Sequence, residues 1–121
     1  MTLLSYVLVI NGIYDLMCAA SILWLSTIPG FRELSTLHSG MLYESTPLVR
    51  RMIAYGLMIH GFVRLLAGVY LSYGLLLAAA ASYFIEAFCV VTERALIVPY
   101  KAVFVSVFSA VLGVWVLMSV S

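Results

Sequence analysis

Four ionisable side chains lie inside stretches that are otherwise apolar: Asp15, His60, Arg64 and Glu86. Arg64 is the most demanding of them. An arginine held in hydrocarbon costs from about 3 kcal/mol on insertion scales to roughly 10 or more in simulations, so a partner must lie within reach. His60 stands one helical turn before Arg64, and Asp15 and Glu86 are the acids available from other stretches. A carboxylate beside a histidine can relay a proton or activate a substrate. An arginine shared between acids can equally fix the register of packed helices. There is no second histidine at metal-ligand spacing, no glycine-rich phosphate loop and no nucleophile elbow, so no catalytic, cofactor-binding or metal-ligating residue is assigned. The four residues are therefore read as one buried polar network, with a structural, a ligand-binding and a catalytic role all open.

The surroundings of these residues decide what can position them. Of 121 residues 65% are hydrophobic and only 9% charged, where soluble domains average about a quarter charged. That balance implies one integral membrane domain over residues 1–121. The net charge of +1 offers no electrostatic footprint for nucleic acid. Cys18 and Cys89 both fall inside apolar runs without CxxC spacing and read as packed thiols, not as a disulfide framework or metal site.

The periodicity predicts an all-α fold, a four-helix transmembrane bundle with helices at about 3–25, 47–71, 75–93 and 100–120. Each run reaches the roughly 20 residues a bilayer crossing needs. The first has no basic residue before it and is interrupted by Asn11 and Asp15, which reads as a retained span and not a cleaved signal. Asn11, Asp15, Cys18 and Ser21 share one of its faces, expected to point into the bundle. Phe31, Leu34 and Leu37 recur at helical spacing in the first connection and predict a short interfacial helix. Thr46 and Pro47 form a helix start. Ala54, Gly61 and Gly68 then repeat every seven residues on the face of Arg64, where another helix backbone can approach. Ser72-Tyr73-Gly74 predicts a tight turn joining the second and third helices. Ala79, Ser82, Glu86, Cys89 and Glu93 share a face of the third helix, and Ser106, Ala110 and Gly113 give the fourth its small face.

Arg32, Arg50, Arg51, Arg94 and Lys101 all belong to the first and third connections or their edges, so these are expected on the cytoplasmic side and both ends of the chain opposite. With a turn centred near Tyr73, residues whose numbers sum to about 146 sit level. Depths counted at about 1.5 Å per residue then predict Glu86 beside His60 and Arg64 within reach of Asp15, or a network of all four.

Arg51 and Arg64 stand thirteen positions apart behind the YESTP of Tyr43 to Pro47, and the third helix carries YFIEAFCVVT from Tyr83 to Thr92. This pattern resembles the small endoplasmic-reticulum scaffold family of ergosterol biosynthesis, the tether of the sterol C4-demethylation enzymes. The matching positions are Arg51, Val63-Arg64, Glu86, Phe88 and Thr92, and the resemblance covers about Tyr43 to Leu117. It implies a non-catalytic membrane scaffold, no cofactor, other membrane proteins as partners, and the endoplasmic reticulum as its location. Two other expectations fit the residues: a small accessory subunit of a large respiratory or photosynthetic complex in an organelle inner or thylakoid membrane, and a small lipid-binding membrane enzyme.

Overall fold

The computed structural model describes residues 2–25, 28–32 and 46–120. It contains four long helices: α1 (Leu3–Leu23), α2 (Pro47–Tyr70), α3 (Tyr73–Thr92) and α4 (Pro99–Val120), with a 3-10 turn (Arg94–Leu96) before α4. All four are long and apolar enough to cross a bilayer, and no strand occurs among the described residues. The chain is an all-α, multi-pass membrane protein.

The starts of three helices are set by side-chain caps. The hydroxyl oxygens of Thr2, Thr46 and Ser72 accept hydrogen bonds from the backbone N–H of Ser5, Val49 and Leu75 at 3.2–3.3 Å, satisfying donors that a helix start leaves open. Pro47 occupies the first turn of α2, where its missing N–H is no loss. The turn between α2 and α3 lies at Leu71 and Ser72, slightly before the expected Ser72–Gly74. Leu71 ends α2 in the left-handed conformation with φ 53°. Because Ser72 caps the next helix, Tyr73 and Gly74 are already helical. Phe31 and Arg32 have helical backbone, and the Arg32 N–H donates to the Ile28 carbonyl at 2.9 Å. The rest of the expected interfacial helix, with Leu34 and Leu37, lies outside the described residues.

The tightest pairing is between α1 and α2. A Cβ on Gly12 would stand 2.6 Å from the Leu65 backbone nitrogen and 2.7 Å from the Gly61 carbonyl oxygen. One on Gly68 would stand 2.9 Å from the Ser5 carbonyl oxygen. Only glycine permits such backbone approach. The Ser5 hydroxyl donates to the Gly68 carbonyl across the same seam. The seven-residue repeat of Ala54, Gly61 and Gly68 thus packs on α1. The helix backbone that approaches this stripe is therefore that of α1.

α3 pairs with α4. The buried face of α4 is Ala102, Ser109, Leu112, Gly113 and Val116, while Ser106 and Ala110 are only partly buried. The small face expected at Ser106, Ala110 and Gly113 is therefore turned, because the Phe84 ring packs 3.1 Å from the position of a Cβ on Gly113 and sets the contact there.

The two pairs meet unevenly along their length. Near the chain ends and the Leu71 turn, Leu4 and Leu8 of α1, Ala67 of α2, Ala79 and Tyr83 of α3, and Leu112 and Val116 of α4 share one apolar cluster. Toward the basic connections that cluster divides. Cys18, Ala19, Ala54 and Leu57 stay with α1 and α2, whereas Val90, Ile97 and Ala102 stay with α3 and α4. The bundle is closed at one end and parted at the other.

Candidate functional site

Where the bundle begins to part, Arg64 is buried at the junction of three helices. Its Nη1 donates to Asp15 Oδ2 of α1 at 2.6 Å and to Asn11 Oδ1 at 3.4 Å. Its Nη2 donates to Glu86 Oε2 of α3 at 2.6 Å, and its Nε to the Ser82 hydroxyl at 3.1 Å. Ser82 in turn donates to the Ala79 carbonyl at 2.7 Å. The guanidinium carbon lies 3.8 Å from the centroid of the Tyr83 ring, and the Tyr83 hydroxyl donates to Asn11 Oδ1. Every nitrogen of the guanidinium is engaged by a protein oxygen, and one ring face covers it. Such a planar, forked cation between two carboxylates gives strong and directional hydrogen bonds.

The cluster brings together Asp15, Arg64 and Glu86 of the four residues singled out in the sequence. His60 is not hydrogen-bonded or ion-paired among the described residues, and the expected Glu86–His60 pair is replaced by Glu86–Arg64. The reason is side-chain direction. Cα–Cβ bonds tilt toward the helix N-terminus, so the long Arg64 stem leans back, away from the α2–α3 turn and toward the level of His60. In antiparallel α3 the same tilt carries Glu86 the opposite way, and the two heads converge. His60, shorter and half-buried, instead lines a cleft beside the cluster.

The sequence pattern does not mark Tyr83 as a site residue, and it puts Asn11 on the inner face of α1 without a role in the network. Each had a sequence signal. Tyr83 precedes Glu86 by three residues and Asn11 precedes Asp15 by four, the spacings that stack side chains on one helical face.

The cleft lies between α2 and α3 on the parted side and holds about 630 Å³. Its walls are apolar, with Val49, Ile53, Gly56 and Leu57 from α2 facing Ile85, Cys89 and Val90 from α3. His60 and Glu86 mark its deep end and Glu93 its mouth. The Glu86 side chain is 22% exposed, against 2% for Arg64 and 5% for Asp15, so Glu86 is the member of the cluster that reaches the cleft. Cys18 is buried and Cys89 exposed, both as free thiols. Among the described residues no group of three or more His, Cys, Asp or Glu side chains is arranged to hold a metal ion.

No family model, curated protein or solved structure matches this chain. The chemistry of the site therefore rests on its geometry alone. Asp15 and Glu86 against one guanidinium leave the cluster, with both acids ionised, one positive charge short of neutrality.

Proposed function

We propose that this protein is a non-catalytic membrane scaffold that assembles other membrane proteins through its helix faces, in the manner of the sterol C4-demethylation tether it resembles. The observation that carries this reading is the saturation of Arg64. All three guanidinium nitrogens are committed to oxygens of α1 and α3, so the positive charge of Arg64 is committed to holding the bundle. The surface left for function is apolar: Ile59 and Phe62 of α2, Ile85 and Phe88 of α3, and Phe104 and Val107 of α4 all point outward. Outward side chains of this kind serve lipid and helix partners alike, and a scaffold uses them for partners.

Affinity purification in mild detergent followed by mass spectrometry tests the reading. A scaffold recovers a defined group of membrane enzymes in constant ratio, with sterol C4-demethylation enzymes expected from the resemblance. Recovery of respiratory or photosynthetic subunits instead would reassign it as an accessory subunit. Recovery of the chain alone, with turnover of a lipid lost in Glu86→Gln, would replace the scaffold with an enzyme.

A further inference from the structure

We infer that the cleft between α2 and α3 receives a transmembrane helix of a partner protein that carries a lysine or arginine near mid-bilayer. The inference rests on the scaffold reading and gives it a place and a chemistry. Along α2 the cleft runs from Val49 to His60, a length of roughly 16 Å or three helical turns. It lies along the helices and opens where the bundle parts into its two pairs.

Two features call for an occupant. Gly56 lines the cleft, yet a Cβ built on it meets nothing within 4 Å. The glycines of the α1 seam are each explained by a backbone in contact, whereas Gly56 leaves an open notch on a helix face. Small residues at such a position let a second helix come close. The other feature is charge. Glu86 gives Oε2 to Arg64, while its Oε1 makes no hydrogen bond among the described residues at the deep end of the cleft. With both acids ionised the cluster is one positive charge short of neutrality, and buried intramembrane charges find partners of opposite sign. A basic side chain from a helix in the cleft would complete the set Asp15, Arg64 and Glu86. His60 lines the cleft beside Glu86 and has no hydrogen bond among the described residues.

Cys89, exposed on the cleft wall, provides the test. The full chain, with Cys18→Ala, is placed in liposomes with a synthetic leucine–alanine helix of about 20 residues. The peptide carries a cysteine one turn from a central lysine; control peptides carry glutamine or glutamate at the centre. Disulfide formation with Cys89 under mild oxidant is the readout. The lysine peptide is expected to crosslink at least tenfold faster than the glutamate peptide, and Glu86→Gln to abolish the difference between lysine and glutamine. Gly56→Leu, which leaves the Arg64 cluster untouched, is expected to slow the lysine peptide by a similar factor.

Equal rates for all three peptides, or rates indifferent to both substitutions, would overturn the inference. So would protection of Cys89 from thiol reagents by dodecylamine but not by the lysine peptide, which would assign the cleft to a small cationic amphiphile. Failure here with partners still recovered by affinity purification would leave the scaffold standing and move its docking face elsewhere. Loss of the partners themselves would remove the scaffold reading, whatever the peptide does.

Discussion

At the scale of single residues, the energetics of the bundle centre on one side chain serving three helices. Removing Arg64 strands both Asp15 and Glu86, whereas removing Asp15 leaves Arg64 still bonded to Glu86, Ser82 and Asn11. Breaking a buried pair costs about 3–5 kcal/mol, reduced here because a stranded acid can take up a proton. Arg64→Ala is therefore expected to lose about 2–3 kcal/mol in detergent unfolding, a blunted form of that cost, and Asp15→Asn clearly less. Arg64→Leu should fall between them, since leucine refills much of the space. Equal stability of wild type and all three variants would mean that the cluster holds nothing together. The presence of a buried arginine was legible in the sequence because its cost in hydrocarbon demands a partner. Its pairing with Asp15 was legible too, from the depth of the two residues along their helices, but its second acid, Glu86, was not. Counting residues gives depth along a helix, but the reach and tilt of a long side chain decide which neighbour it meets, and that gave Glu86 to Arg64 and left His60 at the cleft.

At the scale of elements, the helices followed from apolar length and from the cap residues Thr46 and Pro47. Their partners were less legible. The small-residue stripe of Ala54, Gly61 and Gly68 announces a close approach without saying to which helix, and α3 follows α2 so directly that it is the natural candidate. The structure gives the stripe to α1 because Gly12 offers a matching notch opposite Gly61, and two facing glycines let the backbones close. The two kinds of glycine in α2 and its partner should behave oppositely. Gly12→Ala drives a methyl group into the Leu65 and Gly61 backbone, which cannot swing aside as a side chain would. A loss of about 1–3 kcal/mol is expected from overpacking. Gly56→Ala meets open space in the isolated protein and should be neutral or gain up to about 1 kcal/mol from helix propensity. Thermal unfolding of the two purified variants in one detergent reads both. A destabilised Gly56→Ala would show that the seams have been assigned to the wrong faces.

At the scale of the whole molecule, the parted end and the basic residues coincide. Arg50 and Arg51 open α2, and Arg94 and Lys101 flank the connection into α4, all at the end where the apolar clusters separate. The closed end contains the α2–α3 turn and both described chain ends, with no lysine or arginine. By the positive-inside rule the mouth of the cleft is expected on the cytoplasmic side, or on its topological equivalent in an organelle. Two exposed positions separate the sides: Ser72 in the turn and Leu96 in the third connection. In a background of Cys18→Ala and Cys89→Ala, each is replaced by cysteine and probed with a membrane-impermeant maleimide on sealed, right-side-defined vesicles. Leu96→Cys is expected to label from the cytoplasmic face and Ser72→Cys only after the vesicles are opened. Labelling of both from one face would mean that α3 does not cross the bilayer. Exchange of the two faces would retain four crossings and reverse the protein, placing the end of the cleft at Glu93 on the opposite side of the membrane.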